Sequence, residues 1–208
     1  MRVIAGELRG RRLSAPDLDS VRPTGDRVRE AMFDMVFSLG GVTSRQVLDL
    51  FAGSGALGIE ALSRGAASVT FVDRSTEALA AVRANLASVG LGDAEASGVA
   101  TLVRAAAETW VAGTASRFDV AFCDPPYDFG GWAGLLGALP ADLAVLESAR
   151  AIDVPAGWGV VRSRRYGGTL VTVIRAAPAT TGAGARDTSP PGTVPADDVG
   201  GTGRGDRP

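Results

Sequence analysis

Four consecutive residues, Asp124, Pro125, Pro126 and Tyr127, combine a carboxylate, two prolines and an aromatic ring directly after the apolar run FDVAFC. The Asp124 carboxylate and the Pro125 carbonyl are acceptors that can hold both N–H groups of an exocyclic amine on a nucleobase, which favours a more pyramidal nitrogen with an available lone pair. Proline fixes the backbone and has no N–H to compete, and the Tyr127 ring offers a face on which a base can stack. Aspartate and proline are also common turn residues, so the tetrapeptide alone fits an ordinary turn as well.

A second candidate site is the glycine-rich segment in VLDLFAGSGALGIEAL, which places Gly53, Ser54 and Gly55 between a predicted strand and a predicted helix. Glycines let the backbone pass close to a ligand, and a helix start offers free N–H donors. The pattern is GxGxxG, and Asp73 follows at the end of the next predicted strand, where a carboxylate can bind ribose hydroxyls, so NAD is one candidate ligand. Asp49, in the strand before the loop, favours S-adenosylmethionine, because its carboxylate can bind the ammonium of a methionine moiety and would repel a pyrophosphate.

Both candidate sites depend on a sheet whose strands alternate with helices. The strand-like runs QVLDLF, SVTFVD, ATLVRA and FDVAFCD are each followed by a helix-like or polar segment, which predicts parallel βαβ units in a doubly wound, mostly parallel α/β sheet. Residues 143–148 are a predicted fifth strand, and residues 157–176 a predicted antiparallel hairpin turning at Tyr166-Gly167-Gly168. Ligands bind such sheets beyond the carboxyl ends of the strands where the strand order reverses, so Asp124 and its neighbours should face the glycine loop.

Three further segments complete the predicted organisation. Residues 2–14 are typical of a short hairpin around a Gly-containing turn. The segment RPTGDRVREAMFDMVFSL predicts a helix that begins at Thr24, with apolar residues at helical spacing as far as Leu39. Residues 176–208 are rich in Gly and Pro and hold no aromatic residue, so we predict a disordered tail.

Composition excludes several classes of function. The chain has 208 residues, enough for one domain, and a formal net charge of −2. It has no histidine and a single cysteine, Cys123, which excludes histidine-based acid–base chemistry, Cys-x-x-Cys zinc sites and internal disulfides. Without a long apolar run or a signal-peptide core, we expect a cytoplasmic protein that does not contact a membrane. Residues 1–12 (four arginines, one acid) and 162–175 (four arginines, no acid) can form a phosphate-binding face or an ordinary solvated surface.

Four segments resemble the bacterial small-subunit ribosomal RNA guanine-N2-methyltransferases of the RsmD type: RVIAGELRGRRL, RPTGDRVREAMF, LDLFAGSGALGIEALSRGA and FCDPPY. The DPPY motif is shared with adenine and cytosine amino-methyltransferases and does not choose the base, whereas the two N-terminal segments are the specific part. The resemblance, over residues 2–175, implies a class I methyltransferase (Rossmann-like) fold with an antiparallel terminal hairpin and an N-terminal β-hairpin extension. It also implies S-adenosylmethionine as cofactor and a guanine of 16S ribosomal RNA as substrate.

The resemblance further implies domain bounds and residue roles. Residues 1–20 would be an RNA-binding hairpin extension, 21–175 the methyltransferase domain and 176–208 a disordered tail. The residues expected to bind the cofactor are Asp49, Gly53, Ser54, Gly55, Asp73, Arg74 and Ala106. Those expected to act on the target amine and base are Asp124, Pro125, Pro126 and Tyr127. Those expected to bind the RNA are Arg9, Arg11, Arg12 and Arg22.

One departure from the family pattern concerns the adenine of the cofactor. Such enzymes often carry Asp or Asn after the third strand, where this chain has Ala105, Ala106 and Ala107, so backbone and apolar packing, or else Glu108, would have to hold the ring. We expect a monomer that needs no metal and meets ribosomal RNA within a small-subunit particle. Two alternatives stay open: an adenine-N6-methyltransferase of DNA or RNA, and an inactive RNA-binding assembly module, which would need neither an intact DPPY nor an intact glycine loop.

Overall fold

The computed structural model describes residues 1–14 and 25–178, in which Met1–Ala177 forms one compact unit built on a seven-stranded sheet. The helices are α1 (Asp26–Phe37), α2 (Ala56–Ser63), α3 (Thr76–Ser88), α4 (Ala107–Gly113) and α5 (Trp132–Ala138). The strands are β1 (Gln46–Leu50), β2 (Ser68–Asp73), β3 (Ala100–Arg104), β4 (Phe118–Cys123), β5 (Ala141–Ser148), β6 (Trp158–Tyr166) and β7 (Thr169–Ala176).

The strand order in the sheet is β3-β2-β1-β4-β5-β7-β6. The first five strands are parallel, β7 is antiparallel to β5, and β6 is antiparallel to β7 at the edge. The predicted α/β class, the doubly wound order and the antiparallel terminal hairpin are therefore confirmed. The order reverses between β1 and β4, since the chain first builds outward to β3 and then returns to the other side of β1.

Helices cover both faces of the sheet, which explains why the central strands are apolar almost without interruption. Val47 and Leu48 are neighbours on β1 and are both fully buried, but they belong to different apolar clusters. Val47 packs in the cluster that contains residues of α1, α2 and α3, and Leu48 in the one that contains residues of α4 and α5. Successive side chains of a strand point to opposite faces, so this arrangement follows from the strand geometry.

Two predicted segments differ from the structure in extent. Helix α1 ends at Phe37, and Leu39 lies beyond it in a turn where Gly40 and Gly41 have φ angles of 109° and 71°, which favour glycine and end the helix early. The predicted start at Thr24 lies outside the described residues, and the helix begins at Asp26. Strand β7 continues through Ala176, and residues 179–208 of the predicted tail are outside the described part of the chain.

The N-terminal segment doubles back in the predicted antiparallel direction, but its two arms pair over only a short stretch. A single bridge joins Arg2 and Arg12, next to a hydrogen bond from the Val3 N–H to the Arg11 carbonyl of 2.9 Å. The segment is instead fixed on α2, because the buried Glu60 carboxylate accepts hydrogen bonds from the N–H groups of Ile4 (2.7 Å) and Ala5 (3.0 Å). The hairpin thus depends on the sheet domain for its position.

Candidate active site

The glycine loop and the DPPY segment meet where the strand order reverses. Leu50 on β1 pairs with Cys123 on β4, so the residues that follow both strands leave the sheet side by side. The Asp124 N–H is 3.5 Å from the Leu50 carbonyl oxygen, which continues this neighbour relationship past the ends of the strands. The structure therefore brings together the two sequence-predicted sites at the position where doubly wound sheets bind their ligands.

The glycine loop turns sharply and packs tightly on β2. Gly55 caps the N-terminus of α2 with a φ angle of 74° in the left-handed region that favours glycine. At Gly58, within α2, a Cβ atom would lie only 2.2 Å from Cε1 of Phe71 on β2, so a larger residue would push the helix off the sheet. These glycines allow the start of α2, with its free N–H groups, to stand close to the end of β1.

Asp49 lies beneath the loop and is 1% exposed. Its Oδ2 accepts a hydrogen bond of 2.8 Å from the Gly58 N–H. Burial is the main reason that the pKa of Asp49 is well above its ordinary value, and the nearby carboxylates of Asp124 and Asp73 raise it further. A ligand ammonium beside Asp49 would favour its charged form, so the predicted role remains chemically suited to the position.

Asp73, at the end of β2, holds the loop and the start of α3 together. Its Oδ2 accepts a hydrogen bond from the Gly53 N–H at 2.9 Å, and its Oδ1 accepts one from the Ser75 N–H at 2.8 Å. Each carboxylate oxygen keeps a further acceptor position that a ribose hydroxyl can use. Arg74 follows Asp73 and is exposed.

The predicted adenine end of the cofactor site has an apolar wall. Ala106 is exposed just before α4, and its neighbour Ala105 donates its N–H to the Asp73 carbonyl at 3.0 Å, which places this segment next to the end of β2. Phe129, which follows DPPY, packs edge-on against Phe51 of the glycine loop with ring centroids 5.2 Å apart. This aromatic pair, which the sequence reading missed, supplies apolar surface of the kind expected to replace a polar side chain after β3.

Glu108, the other residue considered for the adenine, points toward α5. Its Oε1 is 3.4 Å from the position that a Cβ atom of Gly131 would occupy, and Gly131 is the N-cap of α5. A carboxylate near a helix N-terminus is favourably placed with respect to the free N–H groups there. The exposed Glu108 side chain therefore lies beside the start of α5.

The DPPY segment presents its tyrosine to solvent. Asp124 is half-buried, Pro125 is buried, and Tyr127 is 59% exposed. The Tyr127 hydroxyl is 3.4 Å from Oγ1 of Thr169, and that hydroxyl lies 3.4 Å from Oε1 of Glu147. A carboxylate only accepts, so when Thr169 donates to Glu147 it accepts from Tyr127, and the order of donors along this chain is fixed.

Glu147 and Thr169 are therefore parts of the site that sequence reasoning did not identify. Each is 7% exposed, and they lie at the end of β5 and the start of β7. Cys123 pairs with Leu146, so the next residues on the two parallel strands, Asp124 and Glu147, lie side by side at the carboxyl edge. A glutamate at the end of the apolar run LAVLES is the sequence feature that could have indicated this.

Cys123, just before Asp124, has no nucleophilic role in this site. It is buried, and burial, followed by the charges of Asp49 and Asp124, raises the pKa of its thiol far above the ordinary value. The thiol therefore stays protonated at neutral pH and is unreactive. Its contribution is packing between β1 and β5.

A buried amide connects the N-terminal segment with the glycine loop. Asn85 on α3 accepts from the Ser14 N–H at 2.8 Å and donates to the Ser14 carbonyl at 2.8 Å. The same amide donates to the Ser54 carbonyl at 2.9 Å. Asn85 is a further residue missed from the sequence, where it is a polar residue within the mostly apolar helical run AAVRANLA.

The arginines proposed to bind RNA have different environments. Arg9 and Arg12 are exposed on the N-terminal segment. Arg11 donates from Nη1 to the Val89 carbonyl just after α3, so its side chain is tied to the body of the protein. Arg22 lies outside the described residues.

Residues 1–14 and 25–178 contain neither a cluster suited to a metal ion nor a membrane-spanning helix. Within those ranges no group of three or more His, Cys, Asp or Glu side chains is arranged to hold a metal ion. In the same part of the chain, every helix is too short or too polar to cross a membrane.

Three known proteins that are similar to this chain are described as methyltransferases. A family model described as Conserved hypothetical protein 95 matches residues 1–175. Ribosomal RNA small subunit methyltransferase D of Escherichia coli (strain K12) is 34% identical over 177 residues, which cover 80% of this chain and 85% of the relative. A Bacillus subtilis relative, described as a candidate ribosomal RNA methyltransferase, is 37% identical over 190 residues, covering 84% of this chain and 98% of the relative. A solved Escherichia coli structure, described as a candidate methyltransferase, has a TM-score of 0.71 at 33% identity and covers 85% of this chain and 97% of its own.

Proposed function

The chain belongs to the family described as Conserved hypothetical protein 95, and we propose that it methylates the exocyclic N2 amino group of a guanine in small-subunit ribosomal RNA. As a methyltransferase of the class I fold, it uses S-adenosylmethionine as its methyl donor. One observation carries the proposal: the residue that can grip an amine, Asp124, stands directly beside the glycine loop across the β1–β4 pair. A methyl group held at that loop is then within reach of an amine held at Asp124.

The residues around the loop suit the methyl donor. Asp49 has a buried carboxylate suited to an ammonium, and Asp73 has remaining acceptor positions for ribose hydroxyls. The apolar surface of Phe51 and Phe129, with Ala105 in the same apolar cluster, suits a purine ring. When bound, S-adenosylmethionine would supply an electrophilic methyl group, and its sulfur would keep the electron pair of the broken carbon–sulfur bond as the demethylated cofactor leaves.

The protein's contribution to the transfer is positioning and electrostatics. Asp124 accepts a hydrogen bond from one N–H of the target amine and the Pro125 carbonyl accepts the other, which aims the nitrogen lone pair at the methyl group. As the nitrogen–carbon bond forms, the nitrogen gains positive charge, and the Asp124 carboxylate stabilises it before the proton leaves to the carboxylate or to water. The Tyr127 face stacks on the base, which must leave its own stack to enter the site.

The names of relatives support the choice of RNA. The Escherichia coli relative is a ribosomal RNA small subunit methyltransferase, and it is similar to this chain over most of both sequences. We extend that substrate class to this protein and propose that it acts as a monomer on a small-subunit particle, with residues 1–20 as an RNA-binding extension of the 21–175 domain. Glycine loop and DPPY are both intact, which argues against an inactive binding module.

Nucleoside mass spectrometry of 16S ribosomal RNA from a deletion strain tests the proposal. Loss of N2-methylguanosine, restored by the wild-type gene and not by one encoding Asp124→Ala, is the expected result. Loss of a methyladenosine would instead favour the adenine-N6 reaction, which the DPPY chemistry also permits. Unchanged modification of both bases would exclude ribosomal RNA methylation as the function.

A further inference from the structure

Strand β6 is an unusual edge of the sheet because it is exposed along most of its length. From Gly159 to Arg165 every residue is exposed, including Val160 (56%) and Val161 (42%). The strand also carries most of the second basic segment of the sequence, with Arg162, Arg164 and Arg165. Arg165 is partly tied down, since its Nη1 donates to the Ala149 carbonyl at 3.3 Å.

Arg162 and Arg164 lie on the same face of β6 and line a groove. They pair with Val173 and Val171 of β7, whose side chains belong to the apolar cluster on the α1 side of the sheet. The groove between β6 and α1 has a volume of about 280 Å³. Its lining includes Glu30 and Asp34 of α1 and Arg162, Arg164 and Tyr166 of β6.

The groove begins at the candidate active site. Tyr166 ends β6 and pairs with Thr169, the residue whose hydroxyl is 3.4 Å from that of Tyr127. Strand β6 runs in the same direction as β5, because both are antiparallel to β7, so its end lies at the carboxyl edge with DPPY. A strand of RNA whose base occupies the DPPY site can therefore continue along β6.

We propose that this β6–α1 groove binds the sugar–phosphate backbone of RNA next to the target nucleotide. In the described part of the chain, neither Arg162 nor Arg164 takes part in an ion pair within 4.0 Å, so both guanidinium groups are available to phosphates. Glu30 and Asp34 on the α1 wall would repel phosphate at close range, but their carboxylates can accept hydrogen bonds from ribose 2′-hydroxyls. The groove, with arginines on one side and carboxylates on the other, thus suits a chain that has both phosphates and ribose hydroxyls, as RNA does.

A protein strand is a less suitable partner for this edge. Charged side chains on an edge strand and a bulge in it both oppose pairing with another strand. β6 has three arginines close together and an irregular register between Val160 and Arg162. These features leave nucleic acid as the partner that its charge fits.

The inference rests on the proposed function for the identity of the RNA, and binding experiments separate the two. The probe is an in vitro transcript of 16S ribosomal RNA, and its affinity is measured over a range of salt concentrations. Arg162→Ala/Arg164→Ala should reduce the log–log salt slope by about 1.4, that is about 0.7 for each lost single-strand phosphate contact. It should also raise the KM for RNA, with kcat at saturating RNA and S-adenosylmethionine affinity unchanged.

The matched control is Arg83→Gln/Arg117→Gln, which removes the same charge elsewhere. Arg83 pairs with Glu95 at 2.8 Å and Arg117 with Asp142 at 3.1 Å, and neither arginine lies on β6 or α1. This control should keep the wild-type slope. Arg162→Lys/Arg164→Lys should recover most of it, because lysine also neutralises phosphate, and that recovery excludes misfolding as the cause of the alanine effect.

Three outcomes would overturn the inference. The first is an unchanged slope in Arg162→Ala/Arg164→Ala, and the second is an equal loss in the control. The third is normal binding to the transcript with weakened binding to small-subunit particles, which would indicate a ribosomal protein as the partner. If the slope falls as expected but the wild type transfers no methyl group to the transcript, the groove is supported and the proposed function is not.

Discussion

On the cofactor side of the site, Asp49 and Asp73 accept hydrogen bonds of 2.8–2.9 Å from backbone N–H groups, whereas on the base side Tyr127 is 59% exposed and reaches its neighbour only at 3.4 Å. This difference is the one expected if the proposed cofactor and the proposed target base occupy these two sides. A small cofactor that always binds in one geometry benefits from a preorganised cradle. A base that must first leave an RNA stack needs an open entrance with an aromatic face at its rim.

The comparison predicts that mutations can impair methyl transfer and cofactor binding separately. Asp124→Ala should lower kcat by about 10²–10³, because one charged, preorganised acceptor contributes on the order of 2–4 kcal/mol to the transition state. S-adenosylmethionine affinity, measured by calorimetry, should stay close to that of the wild type. Near wild-type turnover in this variant would remove Asp124 from the reaction.

Asp73→Ala tests the other side. It removes the acceptor for two backbone N–H groups as well as the proposed ribose contact, so S-adenosylmethionine should bind more weakly by roughly 1–3 kcal/mol. An almost unchanged kcat at saturating cofactor would show that Asp73 contributes to cofactor binding and not to the transfer step. If calorimetry finds that Asp73→Ala binds the cofactor with unchanged affinity, or that the wild type binds NAD tightly, NAD becomes the favoured ligand of the glycine loop.

Asp49→Asn should make the ligand-free protein more stable and weaken its binding of S-adenosylmethionine. Burial raises the pKa of Asp49, so the folded protein holds this proton more tightly than the unfolded chain, and the free energy of unfolding falls as pH rises from about 3.9 toward the folded value. The neutral amide avoids that loss, so at pH 7 the free variant should melt higher, by roughly 2–4 °C for each kcal/mol relieved. The same variant should bind S-adenosylmethionine more weakly. A lower Tm together with unchanged cofactor affinity would contradict both expectations.

Arg9→Ala/Arg12→Ala tests whether the N-terminal segment contributes to RNA binding. If both exposed arginines contact phosphates, the salt slope of RNA binding should fall by about 1.4. Arg11→Ala is the contrasting variant, since Arg11 holds the Val89 carbonyl, and it should reduce thermal stability more than the slope. Unchanged slopes in the double variant would mean that these arginines are only solvated surface.

Tyr127→Phe should have the smallest effect. It keeps the stacking face and loses only the long contact to Thr169, so the KM for RNA should rise by a few-fold, in keeping with about 0.5–1.5 kcal/mol for one hydrogen bond. Thr169→Val removes this link and also the hydrogen bond from Thr169 to Glu147, so its effect should be at least as large, and the double variant should be no worse than Thr169→Val alone. Additive losses would show that the two hydroxyls act independently.

Much of this arrangement could be predicted from local sequence. The strands β1 to β4 were predictable because each is an apolar run that ends at a polar or glycine-rich turn, and their alternation with helices fixes the parallel order. Gly55 and Asp73 were predictable because a ligand loop after a strand needs those residue types at that spacing.

The contacts that the sequence did not reveal join residues far apart in the chain. Asn85 bonds to Ser14 and Ser54, and Glu147 reaches Tyr127 through Thr169. Each is one polar residue in an apolar element, and its partner is determined by packing of the whole sheet. Local pattern indicates that such a residue is unusual but cannot name the group it bonds.

The most direct test of the two-sided site is the product that the purified protein makes. Wild-type protein is incubated with 16S ribosomal RNA and methyl-labelled S-adenosylmethionine, and the labelled nucleoside is identified by mass spectrometry. The account predicts N2-methylguanosine from the wild type and none from Asp124→Ala, although that variant still binds the cofactor. A labelled adenosine, or equal amounts of labelled guanosine from both proteins, would contradict it.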